Sequence, residues 1–343
     1  MKCAILKKSK KPLVLSEIQI PKKLEFGQVL IKIKYSGICG SQINEIDAAK
    51  GKDKYLPHLL GHEGSGIVEK IGEGVTKVRP GDHVILHWRK GSGIEAPNPN
   101  YTWRNKKLNS GKITTFSEKS IISENRVTKI PKNFDLKLAA LFGCAILTAC
   151  GVVNNDANIK IGQSVLIFGL GGVGLNIVQG SKLVSAFPII GIDIKEKKIN
   201  LAKKFGMTKG FKFNKSNISK NIEKFLDNGK ADVVIETTGK KEIIELAYNL
   251  TKPNGKTILV GVPKKNISIY SLPLHFEKIL TGSHGGSANP DEDIPNYIKL
   301  VKNKIINFKN LITHEFKLKE INKAVKLMRK GNCGRIIIKM EKI

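Results

Sequence analysis

The sequence SVLIFGLGGVG at residues 164–174 indicates how the second half of the chain folds. Its first five residues form a mostly apolar run that predicts a short buried strand, and three spaced glycines, Gly169, Gly171 and Gly174, follow at once. The next residues, LNIVQ at 175–179, have the apolar periodicity of a helix. Strand, glycines and helix in this order are typical of a dinucleotide-binding βαβ unit. The glycine-rich part of this stretch is called the glycine loop below.

Each glycine has a physical reason in such a unit. Gly169 allows a tight turn, Gly171 lets the backbone approach a pyrophosphate, and Gly174 permits close packing of helix on strand. Gly172 and Val173 begin the predicted helix, whose amino-terminal N–H groups and dipole attract phosphates. We therefore predict that these five residues bind a nicotinamide dinucleotide. A glycine turn that only packs a helix on a sheet is the alternative.

An acidic residue follows at the spacing that such a unit requires. Asp193 comes 19 residues after Gly174, at the end of the next apolar run. A carboxylate there would accept hydrogen bonds from the adenosine ribose and repel a 2′-phosphate, which favours NAD over NADP. Lys195, Lys197 and Lys198 follow closely and weaken that preference, and Lys198 is itself a candidate for cofactor binding.

The pattern around the glycine loop predicts an α/β fold with a doubly wound parallel sheet. Short apolar runs alternate with amphipathic segments of 10 to 15 residues, at 164–168, 188–192, 232–235 and 256–260. The first 130 residues read instead as strands and turns, so that part of the chain is predicted to be largely β. Residues 89–111, rich in Gly, Pro and Asn, are predicted to form a long loop.

Composition leaves one feature to explain, a formal net charge of +30 from 59 basic and 29 acidic residues. Such a charge makes nucleic acid or an anionic membrane the first partner to consider. Only six of the basic residues are arginine, the lysines are spread along the chain, and aromatics are 6%. Proteins that bind nucleic acid contact bases and phosphates mainly through arginine and stacking aromatic side chains. We therefore expect a solvated lysine-rich surface and no nucleic-acid partner.

The ends and the cysteines indicate a cytoplasmic protein. Residues 1–11 carry five lysines and no signal-peptide core, and the apolar stretch at residues 138–153 is shorter than the roughly 20 residues of a spanning helix. We therefore expect no membrane association. Five scattered cysteines do not suggest a disulfide framework, which leaves them available for metal binding or chemistry.

Three candidate metal ligands lie in short segments that contain glycine. Cys39 lies in GICGS at 37–41, His62 in GHEG at 61–64, and Cys144 in LFGCA at 141–145. Two thiolates and an imidazole suit zinc, and three protein ligands leave the fourth position open for a substrate. Spacing alone is weak evidence, because a single cysteine is more often buried and structural, and a single histidine more often bonds within a turn.

Taken together, these motifs resemble the zinc-dependent alcohol dehydrogenases of the medium-chain dehydrogenase/reductase superfamily. The resemblance covers essentially the whole chain. It rests on the motifs above and on GHEGSGIVE at 61–69, GEGV at 72–75, PGDHV at 80–84 and VGVP at 260–263.

The resemblance implies two domains and a set of site residues. Residues 1–145, completed by 284–343, would form a GroES-like catalytic domain, and residues 146–283 a Rossmann-type NAD-binding domain. The zinc ligands would be Cys39, His62 and Cys144, with Glu63 as a nearby carboxylate that approaches the metal transiently. Ser41 would take the alcohol proton, and Thr148 would lie against the nicotinamide.

Three departures from the family pattern modify this expectation. The stretch 89–111 lacks the four cysteines that hold a structural zinc in many relatives, so one zinc per chain is expected. Gly40 stands where many relatives place an arginine on the pyrophosphate, which makes Arg335 a candidate for that role, with a surface cation as the alternative. Asn44 replaces the histidine that ends the proton relay, and an amide cannot act as a base at neutral pH.

The implied reaction is hydride transfer between an alcohol and NAD. Polyols and sugar-derived alcohols are candidate substrates, because His87, His284 and the basic 89–107 segment could place cations near the site. A reductase of a ketone or aldehyde that uses NADH or NADPH is the alternative. A catalytically inactive nucleotide-binding protein or a nucleic-acid-binding protein is the alternative outside this class. Relatives pair their cofactor-domain sheets, so a homodimer or homotetramer is expected.

Overall fold

The computed structural model describes residues 1–49 and 51–340. The last three residues of the predicted 284–343 segment lie outside the described residues. The chain folds into two compact units. The first unit is Met1–Ala145 together with the segment from Asn289 onward, and the second unit is Ile146–Ala288.

The elements are numbered in chain order. The strands are β1 (Lys2–Leu6), β2 (Val14–Glu17), β3 (Gln28–Ile38), β4 (His58–Leu59), β5 (Glu63–Ile71), β6 (His83–His87), β7 (Tyr101–Trp103), β8 (Lys106–Leu108), β9 (Lys119–Ser123), β10 (Val127–Ile130), β11 (Val165–Phe168), β12 (Ile189–Asp193), β13 (Lys209–Lys212), β14 (Ala231–Glu236), β15 (Thr251–Leu259), β16 (Ile279–Gly282), β17 (Ile312–Lys317) and β18 (Arg335–Lys339). The helices are α1 (Gly40–Ile46), α2 (Leu136–Ala139), α3 (Ala145–Gly151), α4 (Gly172–Leu183), α5 (Glu196–Lys204), α6 (Ile218–Glu223), α7 (Lys241–Asn249), α8 (Pro290–Lys302) and α9 (Ile321–Lys330).

The second unit, described in full, is built on a parallel sheet of six strands in the order β13-β12-β11-β14-β15-β16. Numbered from β11, this is the 3-2-1-4-5-6 order of a doubly wound dinucleotide-binding sheet. Residues 165–168 are entirely buried, which explains why β11 is a continuous apolar run without alternation. The predicted fold class, α/β with a doubly wound parallel sheet, is confirmed.

The described residues of the first unit form mainly antiparallel sheets. The largest has the order β10-β6-β5-β3-β18-β17, with β9 also paired to β3. β3 is long enough to pair with β5, β9 and β18. Its buried side chains, including Ile31 and Ile33, pack with Ile336 and Ile338 of β18 in one apolar cluster. The C-terminal strand is therefore part of the core of the first unit.

The predicted long loop at 89–111 contains regular structure. β7 and β8 form a hairpin whose two connecting residues, Arg104 and Asn105, have φ of 52° and 57°. Two positive φ values are typical of the tight hairpin turn whose twist matches the strands. The prediction of an irregular loop is wrong over these residues because the turn lacks the glycine that usually marks it.

Among the described residues, no single helix is long and apolar enough to cross a membrane. The helical stretches Leu136–Gly143 and Ala145–Asp156 have the length and apolar composition of a membrane span only when they are counted together, and the chain bends between them. Leu141, Phe142 and Leu147 of this pair are buried inside the protein.

Candidate functional site

Cys39 is placed by the end of the central strand β3 and the start of α1. Its backbone is extended, with φ −110° and ψ 153°, so the chain turns from strand to helix at this residue. Its N–H donates to Oε1 of Gln42 at 2.9 Å, and Gln42 is 1% exposed. This buried amide fixes the Cys39 backbone, and no sequence motif singled it out.

His62 is held by the residues on either side of it. Gly61 has φ +101°, and a Cβ there would clash with Thr115, so the chain makes a sharp turn that only glycine accommodates. The carbonyl oxygen of Glu63 accepts hydrogen bonds from the hydroxyls of Ser36 and Thr115, each at 3.0 Å. The roles of Ser36 and Thr115 could not be predicted from the sequence, since buried hydroxyls show no recognisable spacing.

Cys144 completes the group. It follows a short 3₁₀ turn at Ala140–Gly143 and precedes α3. One ligand atom from each of Cys39, His62 and Cys144 lies within 4.8 Å of the other two. The structure therefore brings together three side chains that are far apart in the sequence.

The donor set fits zinc. Nε2 of His62 is buried and has no hydrogen-bond partner among the described residues, which is costly for a polar atom unless a ligand takes that place. Two sulfurs and one imidazole nitrogen are a common ligand combination for catalytic zinc, with a fourth position left for substrate or water.

The electrostatics of the group also favour a cation. The neighbouring Cys144 side chain is the main cause that holds the pKa of Cys39 well below its usual value. The pKa of Cys144 is raised well above its usual value by Cys39 and by burial. Burial lowers the pKa of His62, but the adjacent Cys39 and Glu63 together outweigh burial and the pKa is raised. One thiolate is therefore favoured, and thiolate is the form in which cysteine binds metals.

Glu63 and Arg335 form a buried ion pair beside these ligands. The guanidinium of Arg335 contacts Oε1 of Glu63, and Oε2 accepts the N–H of Ala145 at 3.4 Å. Both side chains are almost completely buried. Burial raises the pKa of Glu63, and the positive charge of Arg335 opposes that shift. The structure thus places Arg335 on Glu63 rather than at the surface, and its predicted contact with a pyrophosphate stays a prediction.

Ser41 and Asn44 lie three residues apart on α1, which places them on neighbouring positions of one helix face. Ser41 is exposed and Asn44 is partly buried. His87, in contrast, cannot supply a cation near a substrate. It is fully buried, bonded to the carbonyl of Arg89 and the hydroxyl of Thr128, and burial lowers its pKa to about 4. That expectation is wrong because His87 points into the core.

The glycine loop of the second unit has the spaces that the sequence requires. Gly169 has φ +89°, and a Cβ at Gly174 would clash with the carbonyl oxygen of Gly169, so helix α4 packs closely on the loop. A Cβ at Gly171 would meet no atom within 4 Å. Gly171 is the residue before α4, and Gly172 and Val173 begin that helix. Open space thus lies at a helix amino terminus, where unpaired N–H groups attract anions.

Asp193 ends β12 and is 8% exposed. Oδ2 accepts the N–H of Leu170 in the glycine loop at 2.8 Å, and Oδ1 accepts the N–H of Lys195 at 2.9 Å. Nζ of Lys198 lies 3.9 Å from Oδ2. Asp193 therefore fixes the backbone of the loop as well as offering a carboxylate. Thr148, the remaining predicted residue, lies on α3 and is largely buried.

Comparisons with known proteins agree with these features. The family model described as zinc-binding dehydrogenase matches residues 172–303, and the alcohol dehydrogenase GroES-like domain matches residues 25–132. Alcohol dehydrogenase class-P of Arabidopsis thaliana is 33% identical over 372 residues, covering 99% of this chain and 97% of that protein. Alcohol dehydrogenase 2 of Solanum lycopersicum is 34% identical over 373 residues, with the same coverage.

Comparison with solved structures also finds an alcohol dehydrogenase. The chain is similar to a benzyl alcohol dehydrogenase from Acinetobacter calcoaceticus, with a TM-score of 0.90 and 26% identity over 99% of both chains.

Replacing Cys39 with serine should remove most of the bound zinc, because a neutral hydroxyl is a much poorer zinc ligand than a thiolate. Metal analysis of purified protein should give about one zinc per wild-type chain, the number a single three-ligand site holds. Cys333→Ser is the matched control, since Cys333 lies next to Met328 and outside the ligand group. Full zinc occupancy in Cys39→Ser would contradict the assignment.

Replacing Arg335 with methionine should destabilise the first unit by about 3–5 kcal/mol, because Glu63 would remain as an unpaired buried charge. Urea unfolding measures the change. The surface pair of Arg329 and Asp47 provides the control, and Arg329→Met should cost less than about 1 kcal/mol. Equal costs for the two variants would show that the buried pair has no special role.

Proposed function

The chain belongs to the alcohol dehydrogenase family, and we propose that it is a zinc-dependent enzyme that transfers a hydride between an alcohol and NAD. The observation that carries the proposal is the convergence of Cys39, His62 and Cys144 around an unpartnered imidazole nitrogen. Relatives act on alcohols by name, and the chemistry of this ligand group suits an alcohol or carbonyl oxygen.

The residues of the first unit have distinct roles in this proposal. Cys39, His62 and Cys144 hold zinc, which when bound supplies a Lewis acid that polarises the substrate oxygen. Ser41, two residues after Cys39, accepts the proton of the alcohol and passes it on. Asn44 lies one turn further along α1 and can orient a water by hydrogen bonding, although it cannot take the proton itself.

The Glu63–Arg335 pair sets the charge around the ligands. Two thiolates and a carboxylate next to each other would repel one another strongly at low dielectric. The guanidinium of Arg335 offsets this repulsion, and it contributes to lowering the pKa of Cys39. Glu63 is thereby kept beside the ligands with hydrogen bonds that fix its orientation.

The second unit binds the cofactor in this proposal. The pyrophosphate lies over Gly171 at the start of α4, and Asp193 accepts hydrogen bonds from the adenosine ribose. A 2′-phosphate would meet the Asp193 carboxylate, which supports a preference for NAD. Lys198, close to that carboxylate, can donate to the ribose as well. The first unit then corresponds to the catalytic domain and the second to the NAD-binding domain.

A panel of simple alcohols, polyols and sugar-derived alcohols, with the matching aldehydes and ketones, tests the function. Formation or loss of NADH absorbance should be seen with at least one pair. NAD should exceed NADP in kcat/KM by at least about tenfold, or about 1.4 kcal/mol, and Asp193→Ser should reduce that ratio. Equal use of the two cofactors would refute the preference, and no turnover in either direction by zinc-loaded protein would refute the function.

A homo-oligomer forms through the outer edge of the parallel sheet in this proposal. β16 is the last strand of the sheet, so its outer backbone groups have no strand partner in the described chain. The residues on and before it expose large apolar side chains, among them Tyr270, Phe276 and Ile279. Edge strands with exposed apolar neighbours favour pairing with another chain.

Ile279→Lys should convert the oligomer to monomers, because two copies would then place like charges at a shared edge. Sedimentation equilibrium measures the mass. Ile161→Lys serves as the control, since Ile161 is more exposed than Ile279 but lies in the turn before β11. A monomeric wild type, or an unchanged mass in Ile279→Lys, would rule out this interface.

A further inference from the structure

Glu236 is a buried carboxylate that the proposed chemistry does not use. It ends β14 in the second unit and has no solvent exposure. Within the fully described second unit, no basic side chain pairs with it. The groups that act on its pKa are Thr238 and Gly239, and burial raises that pKa. A charge without a counter-ion persists in the interior only if several hydrogen bonds satisfy it.

These hydrogen bonds come from the turn that follows β14. Oε1 of Glu236 accepts the N–H of Thr238 at 2.5 Å, the hydroxyl of Thr238 at 2.5 Å and the N–H of Gly239 at 3.0 Å. Oε2 lies 3.1 Å from the same Gly239 nitrogen. The carboxylate therefore acts as the centre around which residues 237–239 fold.

The same turn is hydrogen-bonded to the start of the glycine loop. The N–H of Thr237 donates to the carbonyl of Phe168 at 3.0 Å, and its hydroxyl lies 2.9 Å from the carbonyl oxygens of both Phe168 and Gly169. A Cβ at Gly169 would clash with this hydroxyl. The position of Gly169 thus depends on where Thr237 is held.

We propose that Glu236 is a positioning residue for the dinucleotide. By folding the 237–239 turn it fixes Thr237, and Thr237 fixes the start of the glycine loop on which the pyrophosphate rests. This inference rests on the proposed function, since it takes the glycine loop to be the cofactor site.

A carboxylate fits this position because Oε1 accepts three hydrogen bonds and the Gly239 N–H lies within hydrogen-bond distance of both oxygens. A glutamine that keeps its oxygen at the position of Oε1 would place its NH₂ group at the position of Oε2, 3.1 Å from the Gly239 N–H, so that two donors face each other. Hydrogen bonds to a neutral amide oxygen are also weaker than those to a carboxylate. The turn would shift, and the cost would appear in cofactor affinity because the loop is attached to it.

The test compares NADH affinity, by fluorescence titration, in the wild type, Glu236→Gln and Asp232→Asn. Asp232 is the matched control because it lies on the same strand at the opposite end. There it accepts hydrogen bonds from the N–H and hydroxyl of Ser164. We expect the Kd for NADH to rise about tenfold in Glu236→Gln, which corresponds to a loss of about 1.4 kcal/mol. The Kd should stay within about twofold in Asp232→Asn even where the melting temperature falls.

A second pair of variants keeps the inference testable if Glu236→Gln does not fold. Thr237→Val keeps the shape of the side chain but removes its hydroxyl, and it should weaken NADH binding. Thr237→Ser restores a hydroxyl and should recover most of the affinity. A general loss of stability would not distinguish these two variants in this way.

The outcomes separate this inference from the proposed function. If the wild type binds neither NADH nor NADPH, the proposed function fails. If the wild type binds NADH and Glu236→Gln binds it equally well, Glu236 has no positioning role. Equal weakening in Glu236→Gln and Asp232→Asn, or in Thr237→Val and Thr237→Ser, would also overturn the inference.

Discussion

The buried ion pair of Glu63 and Arg335 is the interaction on which the first unit depends. It joins the first residue of β5 to the first residue of β18, which are 272 positions apart in the sequence. Each charge is tolerable inside the protein only while the other is present. Because Glu63 directly follows His62, the pair also locates the imidazole among the candidate ligands. The C-terminal strand is thus required for the ligand group as well as for the core.

In the second unit, too, buried carboxylates hold the backbone in place. Asp193 accepts the N–H of Leu170 within the glycine loop, and Glu236 holds the turn that contacts Gly169. Glycines provide space for a ligand, but they also make the loop flexible in isolation. In the proposed cofactor site, fixed acceptors on the neighbouring strands would remove that freedom before the dinucleotide binds, so less free energy would be lost to ordering.

The sequence predicted the features that arise from local sterics. Gly169, Gly171 and Gly174 follow a buried strand, and their spacing has one common structural reason, so the doubly wound sheet could be predicted and is confirmed. Cys39, His62 and Cys144 were each ambiguous alone and became informative only as a set. The contact of Arg335 with Glu63 and the burial of His87 could not be read from the sequence, because they depend on long-range packing. The supporting roles of Ser36, Gln42 and Thr115 have the same origin.

X-ray absorption at the zinc edge probes the proposed ligand group itself, since it reports the atoms bound to the metal in the purified protein. The predicted spectrum has two sulfur neighbours at about 2.3 Å, from Cys39 and Cys144, and two nitrogen or oxygen neighbours at about 2.0–2.1 Å. One of these is His62, and the other is water in the open position. A shell of four sulfurs, a shell without sulfur, or full activity in protein that holds no zinc would contradict the claim.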